Sequence, residues 1–191
     1  MMERSKQSGF SLLEVIVSLT LFVFAILLVN SLFSLSQRAY RAGSNQGELT
    51  QNVRISLDRI SREVRQSEEI VSIMPIADTD PLDPPISEIF FQDGHNIEII
   101  TYVRYYLSSN NLMRSHIAYY FSADPTTYVR WDSVDGFSNP PDTLILENRI
   151  VGEYFNKLEF WGDNGLVHIS LGVNKKSSDL DIETSVFSRN W

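Results

Sequence analysis

The 191-residue chain contains no cysteine and is short of basic residues, with 16 Lys and Arg against 24 Asp and Glu and a formal net charge of −8. The absence of cysteine excludes disulfides, thiolate zinc sites, iron–sulfur clusters, cysteine nucleophiles and a lipid anchor on cysteine. The acidic balance disfavours a sequence-independent grip on nucleic-acid phosphates. The length and the 43% of hydrophobic residues predict one folded domain plus an appendage.

Catalytic motifs are missing as well. The chain has no H-E-x-x-H, G-x-S-x-G, P-loop or G-x-G-x-x-G pattern. His95, His116 and His168 are its three histidines, and we expect them to be surface or structural residues. The serines near Asp135 and Asp142 form no recognisable triad. The sequence therefore predicts a protein that is not an enzyme and holds no cofactor, with a hydrolase displayed outside a membrane as the alternative.

Charge is scarce over one long stretch near the N-terminus. Between Lys6 and Arg38 lie 31 residues with a single charge, Glu14. The uncharged run Val15–Gln37 has 23 residues, and a helix that rises 1.5 Å per residue needs about 20 residues to cross roughly 30 Å of hydrocarbon. We therefore expect a transmembrane helix in residues 10–37.

A short basic segment precedes this apolar run. Arg4 and Lys6 outweigh Glu3, which by the positive-inside rule keeps the N-terminus in the cytoplasm. A secretory signal peptide would have a shorter apolar region followed by a small-residue cleavage site, whereas residues 29–36 continue without one. We expect a single-pass protein of the inner, cytoplasmic membrane with its head outside the cytoplasm, and a removed signal peptide is the alternative.

Glu14 is out of place in such a helix. An acidic side chain inside a membrane span costs about 2.5–3.5 kcal/mol on insertion scales, so it is functional by default. The alternative is that Glu14 lies close enough to the polar boundary to reach the lipid headgroups.

The residues on both sides of Glu14 form a recognisable sequence motif. The string Gly-Phe-Ser-Leu-Leu-Glu-Val-Ile-Val, residues 9–17, resembles the class III signal of type IV pilins and type II secretion pseudopilins. The resemblance implies that prepilin peptidase cuts after Gly9, and that Phe10 becomes the N-methylated first residue of the mature chain. It also implies that Glu14 offers an anion to the α-amino group of a neighbouring subunit, since two costly charges offset each other once helices assemble. The partners implied are other pilins or pseudopilins, the peptidase and an inner-membrane assembly platform.

The helix is expected to continue beyond the membrane, because no proline occurs before Pro75. Val53, Leu57, Ile60 and Val64 form an apolar stripe at helical spacing. The rest of the helix surface around this stripe is expected to be polar and to consist of Asp58, Arg59, Arg62, Glu63 and Arg65. We predict that the stripe packs on a sheet of the same molecule, with a partner helix as the alternative.

Two glycines interrupt this helical pattern. Gly43 and Gly47 each cost about 1 kcal/mol relative to alanine within a helix, and Ser44 could cap a restarted segment. We expect a bend or a local opening there. The organisation predicted is a leader at 1–9, a long helix at 10–70 that is amphipathic over 38–70, and a β-rich head at 71–191.

From Ile86 onward the pattern changes to strands. Turn signals lie at Asp93-Gly94, Asn110-Asn111 and Asp163-Asn164-Gly165. The predicted strands are Ile86–Gln92, Asn96–Tyr106, Leu112–Phe121, Tyr128–Trp131, Thr143–Glu147, Lys157–Trp161, Leu166–Val173 and Ile182–Ser188. One long helix followed only by strands predicts an α+β fold, with the helix packed on an antiparallel sheet.

The head extends the resemblance. Its amphipathic helix end, the strand pair within Tyr105–Arg114, the Lys157–Phe160 strand and the closing segment from Glu183 resemble the W-type minor pilins and the minor pseudopilin J of type II secretion. This implies a low-copy initiation or tip-proximal subunit. Two assemblies are consistent with this resemblance: a type IV pilus and a type II secretion pseudopilus.

Two acidic patterns occur in the head. Asp78, Asp80 and Asp83 are a weak calcium candidate, because they lack the glycine and the final glutamate of an EF-hand loop. Asp179, Asp181 and Glu183 alternate as on a solvated edge strand.

Aromatic residues in the head are expected to be mostly core or cross-strand packing, and they are Tyr102, Tyr105, Tyr106, Tyr119, Tyr120, Tyr128 and Trp131. A face of exposed tyrosines with Arg104, Arg114 and Arg130 would bind single-stranded DNA, as in a DNA-uptake pilus. Nucleic acid is nevertheless not the expected partner of so acidic a chain. The alternative function is a membrane-anchored extracytoplasmic binding or adhesion domain.

Overall fold

The computed structural model describes residues 11–96, 98–176 and 178–189. It contains the helix α1, Leu12–Gln66, followed only by strands. The strands are β1 Glu69–Ile70, β2 Glu88–Gln92, β3 Tyr102–Ser108, β4 Asn111–Phe121, β5 Asp124–Val129, β6 Asp142–Glu153, β7 Phe155–Asp163, β8 Leu166–Lys175 and β9 Ser178–Phe187. The α+β class is confirmed. The chain divides into two compact units, residues 1–44 and 45–191.

In the first unit, every described residue from Ser11 to Ser44 is exposed. The helix is long and apolar enough to cross a membrane by length and composition. It stays α-helical through Gly43, Ser44 and Gly47, so the expected local opening is wrong. A cost of about 1 kcal/mol per glycine is too small to break a helix that has good helix formers on both sides.

The second unit has two antiparallel sheets. The first sheet has the order β1-β2-β3-β4-β5, and β6 pairs with the other edge of β4. The second sheet has the order β7-β8-β9. The core lies between the two sheets and the second half of α1, and its fully buried side chains include Val53, Ile60, Phe91, Tyr105 and Phe160.

The apolar stripe of α1 packs inside its own molecule, as predicted. Val53, Ile60 and Val64 are fully buried, whereas Leu57 is half-buried. The assignment of Glu63 to the polar surface is wrong, because Glu63 is 8% exposed and faces the sheet. Its carboxylate has partners there that the sequence did not reveal.

The tight turn at Asn164-Gly165 forms where it was predicted, whereas the turn predicted at Asn110-Asn111 lies one residue earlier, because Asn111 already belongs to β4. Ser109 and Asn110 both have positive φ in the turn between β3 and β4, and so do Asn164 and Gly165 between β7 and β8. Two consecutive positive φ values give the hairpin turn whose twist matches that of the flanking strands.

The signal at Asp93-Gly94 does not make a tight hairpin. Strand β3 begins at Tyr102, not at Asn96, because the Asp93 and Asn96 side chains accept backbone N–H groups two residues ahead and hold a longer loop. Gly94 is needed at its place because a Cβ atom there would lie 1.9 Å from the Gln66 carbonyl oxygen. The other predicted strands are found with shifted ends, and β6 is much longer than predicted.

Candidate functional site

The described part of the N-terminal signal is the first turn of α1. The Ser11 carbonyl accepts the N–H groups of Glu14 at 3.0 Å and Val15 at 3.2 Å, and the Ser11 hydroxyl oxygen also accepts the Glu14 N–H at 3.3 Å. Ser11 is therefore the N-cap residue, and Glu14 lies at the third helical position. Gly9 and Phe10 lie outside the described residues.

Sequence reasoning missed this cap, although its signal was present. Serine followed three residues later by glutamate is the capping-box pattern, in which both residues satisfy N–H groups at the start of a helix. A carboxylate in the first turn also interacts favourably with the positive end of the helix dipole. In the structure, Ser11 makes its half of this pattern, and Glu14 is the acidic residue of the first turn.

Glu14 stands on an open, otherwise apolar face. At about 100° per residue, Ser18 and Phe22 follow Glu14 along one side of α1, with Val15 and Leu19 beside them. These five residues line a shallow groove on the helix surface, and all of them are exposed. Within this face, Glu14 has the only charge. The carboxylate is therefore open to the surroundings of the helix.

The head contains a buried charge cluster that the sequence did not predict. The Arg114 Nε atom donates to both Glu63 oxygens, at 2.9 and 3.2 Å, and the Tyr105 hydroxyl donates to Glu63 Oε2 at 2.9 Å. Arg114 also lies 3.2 Å from Glu147. The side chains of Glu63 and Arg114 are only 10% and 8% exposed. The cluster fixes the second half of α1 on the sheet.

Burial and charge shift the pKa values in this cluster. Burial, together with the neighbouring Glu63 carboxylate, raises the pKa of Tyr105 well above its usual value. Burial alone would lower the pKa of Arg114, but its hydrogen bonds and charge attraction to Glu63 outweigh burial, so the pKa is raised. The arginine therefore stays charged and the tyrosine stays neutral. The arrangement is structural, because it joins α1 to the first sheet through hydrogen bonds and an ion pair.

The arginines of the proposed DNA-binding face do not share a face. The Arg114 side chain points to the side of the first sheet on which α1 packs. Arg104 pairs across the strands with Ser115, the residue after Arg114, so the Arg104 side chain points to the opposite side of the sheet. Arg104 forms an ion pair with Glu88, and Arg130 binds Glu69 at 2.9 Å and Asp132 at 3.1 Å. Carboxylates already occupy all three cations, so these residues form no basic stacking surface.

The acidic loop gives no convergent cation site. Asp78, Asp80 and Asp83 are exposed, and Asp80 accepts the N–H of Leu82. Among the residues that the structure describes, no group of three or more histidine, aspartate or glutamate side chains could hold a metal ion. On β9, Asp179, Asp181 and Glu183 are exposed along an edge strand that pairs only with β8, as expected for a solvated edge.

Two of the three histidines lie near the same carboxylate, Asp93, and the third lies on the second sheet. His95 contacts Asp93, and the His168 ring stacks on Trp161 with the ring centroids 5.3 Å apart. His116 is half-buried, and its Nε2 atom lies 3.7 Å from Asp93, too far for a hydrogen bond. Burial and the nearby Arg114 charge lower the pKa of His116. His95 and His116 thus share Asp93 as a neighbour, whereas His168 contacts Trp161.

Comparison with known proteins identifies the N-terminal signal. Residues 4–30 match the family model described as the prokaryotic N-terminal methylation motif, which is the class III signal of type IV pilins. Comparisons with curated proteins and with solved structures gave no match. The matched segment contains Gly9, Phe10 and Glu14, and it continues into the apolar part of α1.

Proposed function

Since residues 4–30 carry the class III signal of type IV pilin-like, prepilin-processed proteins, we propose that this chain is a minor pilin or pseudopilin precursor. Prepilin peptidase cuts it after Gly9, the new N-terminus at Phe10 is methylated, and the mature subunit joins a type IV pilus or a type II secretion pseudopilus. Its work is mechanical and associative rather than catalytic. The head stands outside the cytoplasm, and α1 anchors it in the inner membrane until assembly.

One observation supports this proposal above the others. The methylation motif runs directly into a 55-residue helix whose first turn contains Glu14 and whose surface is apolar and exposed up to residue 37. A cut on the cytoplasmic side of the apolar segment keeps the anchor, unlike a secretory signal cleavage. It also creates an amine four residues before the only carboxylate of the span. A plain membrane anchor has no need of such a carboxylate, because it only adds to the cost of insertion.

Assembly makes the two charges of the processed segment compatible with an apolar environment. The Phe10 amine of one subunit and the Glu14 carboxylate of a neighbour offset each other when their helices pack, and each is costly alone. The pairing links helix register to assembly. The low copy number and the initiation or tip-proximal position rest on the sequence resemblance to W-type pilins and pseudopilin J.

Co-expression with a prepilin peptidase tests the proposal. Intact mass and N-terminal sequencing of the mature protein are expected to show a methylated Phe10 as the first residue. Gly9→Leu is expected to leave the precursor uncut but still inserted, because insertion depends on hydrophobicity. Gly43→Leu serves as the matched control, since nothing lies within 4 Å of a Cβ atom at that site. A wild-type chain that keeps Met1, or that begins beyond residue 30, contradicts the proposal.

A further inference from the structure

An open groove lies on the outer face of the first sheet. It has a volume of about 650 Å³, and its lining comes from β2, β3, β4, β6, the segment after β1 and Trp131. Sites for small ligands commonly have volumes of roughly 300–1,000 Å³. Arg104 belongs to the lining and points away from the side of the sheet that carries Arg114 and Glu63. The groove is therefore separate from the buried charge cluster.

Aromatic rings give the groove an apolar surface. The rings of Phe90, Tyr102 and Tyr119 pack on one another with centroids 5.1 to 6.5 Å apart. The Tyr102 hydroxyl oxygen accepts the backbone N–H of Trp131 at 3.2 Å, and Trp131 is 41% exposed. Because neighbouring groups already hold these residues, a ligand meets a surface that needs little ordering on binding.

An ion pair gives the same groove a polar part. The Nε and Nη2 atoms of Arg104 both donate to Oε2 of Glu88, and the guanidinium lies over the Tyr106 ring, 4.8 Å from its centroid. Among the contacts of the described residues, none uses Arg104 Nη1 or Glu88 Oε1. The two side chains are 41% and 46% exposed. The pair thus presents a donor beside an acceptor, and its own contacts hold both in position.

Two hydroxyl groups add to this polar part. The Ser72 hydroxyl oxygen accepts the N–H of Phe90 at 2.8 Å, which leaves the hydroxyl proton free to donate. Thr143 on β6 also belongs to the lining and is exposed. The groove therefore combines an aromatic surface with several groups that form hydrogen bonds.

This combination matches a ligand that has an apolar face and an edge of hydroxyl groups. A pyranose ring has C–H groups on its faces, which pack on aromatic rings, and hydroxyls around its edge. Of two adjacent hydroxyls, one can donate to Glu88 Oε1 while the other accepts from Arg104 Nη1. Hydrogen bonds to charged groups are the stronger kind. Since Glu88 and Arg104 neutralise each other, a neutral sugar fits better than a charged one.

Other ligand classes fit the groove less well. An apolar peptide segment or a lipid chain would cover Arg104 Nη1 and Glu88 Oε1 without giving them partners, which costs free energy. The phosphates of a nucleic acid would meet the Glu88 carboxylate and a chain with a net charge of −8. A neutral ring with hydroxyls avoids both costs.

We propose that this groove binds a ring of a neutral carbohydrate chain. Trp131 and the rings beside it contact the face of the sugar, while Arg104 and Glu88 bind adjacent hydroxyls. Because the groove is open, the carbohydrate chain can continue beyond it over the surface of the head. The site goes beyond the proposed function, since neither cleavage after Gly9 nor assembly requires it.

An array of immobilised oligosaccharides provides the first test. The full-length protein is presented in lipid nanodiscs, because detergents with sugar headgroups would compete for the groove. The probes are neutral oligosaccharides of glucose, galactose, mannose and N-acetylglucosamine. At least one is expected to bind. Calorimetry with that oligosaccharide is expected to show binding about tenfold or more tighter than that of sorbitol, which has the hydroxyls without a ring face.

Substitutions in the lining provide the second test. Trp131→Ala and, independently, Arg104→Met are expected to weaken binding of that oligosaccharide about tenfold or more, as for the loss of a contact worth about 1.4 kcal/mol. Glu88→Gln keeps the size of the side chain and is expected to weaken binding less. Thermal melting of each variant identifies any that fails to fold, and Glu88→Gln, at an exposed position, is expected to fold normally.

Two matched controls lie outside the groove. Phe137→Ala removes an aromatic side chain that is 88% exposed. Arg149→Met removes an arginine whose side chain is 43% exposed and, like Arg104, is paired with a glutamate. Both variants are expected to bind the oligosaccharide as the wild type does.

Four outcomes overturn the inference. They are no binding of any neutral oligosaccharide on the array, equal binding of sorbitol, unchanged binding by the folded Trp131→Ala and Arg104→Met variants, and tighter binding of an uncharged peptide of alternating leucine and threonine. Cleavage after Gly9 is measured separately. Normal cleavage together with any of these outcomes removes the carbohydrate site and leaves the proposed function in place.

Discussion

Two glutamates of α1 show how the same residue type takes different roles in one helix. Glu14 is exposed on an apolar face at the start of the helix, whereas Glu63 is buried and bonded to Arg114 and Tyr105. Under the proposed function, the first meets a partner outside the molecule. The second is satisfied inside it, which is the condition under which a buried carboxylate is tolerated.

Substitutions of Glu14 are expected to separate its two roles. Glu14→Gln keeps a capping-box residue but removes the anion, so it should lose association with companion subunits almost as fully as Glu14→Ala. Glu14→Asp, one methylene shorter, should be impaired less. Membrane level and head stability should not fall in any of the three, and Glu14→Ala should ease insertion by about 2–3 kcal/mol. Crosslinking to companions is the measurement, and normal association of Glu14→Gln would show that the charge is not the contact.

Removing Glu63 is expected to leave the buried Arg114 without its buried counter-ion, with only the more exposed Glu147 still paired to it. Glu63→Ala should lower the free energy of unfolding by about 3–5 kcal/mol, the usual cost of breaking a buried ion pair from one side. Asp58→Ala, at an exposed acid of the same helix, should change it by less than about 0.5 kcal/mol. Urea unfolding of both variants is the measurement. The double variant Glu63→Leu with Arg114→Met should recover much of the loss, and equal effects of Glu63→Ala and Asp58→Ala would exclude a stabilising role for the cluster.

His116 is expected to make the head less stable in mild acid. Burial and the Arg114 charge lower its folded-state pKa, while Asp93, Glu147 and Glu63 raise it more weakly. The unfolded chain, with a histidine pKa of about 6.5, therefore binds more protons as the pH falls through that value, and the stability present above it is lost. Unfolding measured between pH 7.5 and 5.5 should show a steeper decline for the wild type than for His116→Gln, and identical slopes would exclude His116 as the source.

At the scale of elements, α1 is one helix with two kinds of surface. Up to Ser44 all its described residues are exposed, and from Leu49 a stripe of its side chains enters the core. The apolar period of the second part fixes which face is buried. Helix propensity alone does not determine the buried face, since the residues on every face have similar helix propensities.

Two isoleucines of α1 provide a matched pair for testing this division. Ile60 is fully buried and Ile55 is 56% exposed, although they lie only five residues apart. Ile60→Ala should cost about 2–5 kcal/mol of unfolding free energy because it leaves a cavity, and Ile55→Ala less than about 0.5 kcal/mol. Leu57→Ala should fall between them. Denaturant titration compares the three, and a large effect at Ile55 together with a small one at Ile60 would reverse the assigned face.

At the scale of the whole molecule, the core is contained in residues 45–191. Its buried side chains come from α1 beyond Leu49 and from both sheets. A soluble fragment that begins at Arg38 is expected to fold without the apolar part. Circular dichroism should show a single cooperative thermal transition. A gradual, non-cooperative loss of signal would mean that the stripe from Val53 to Val64 needs a partner helix.

The sequence by itself determined the N-terminal signal, the long helix, the α+β order and the two tight turns. These features depend on residues that are close together in the chain. They are indicated by the length of the uncharged run, the helical spacing of apolar residues and turn residues such as Asn164-Gly165. It also placed Gly9, Phe10 and Glu14 within that signal, because the signal is a contiguous string of residues. The N-cap at Ser11 could have been found in the same way.

Only the tertiary structure decided the pairing of Glu63 with Arg114, the separation of Arg104 and Arg114 onto opposite sheet faces, and the lining of the groove on the first sheet. Glu63 and Arg114 are 51 positions apart, and each is ordinary in its own segment. Strand register determined the rest: one residue of shift moves a side chain to the other face of a sheet, and β-bulges such as that at Leu146 change the register without a clear local signal. Contacts between distant segments depend on that register, which sequence spacing alone does not contain.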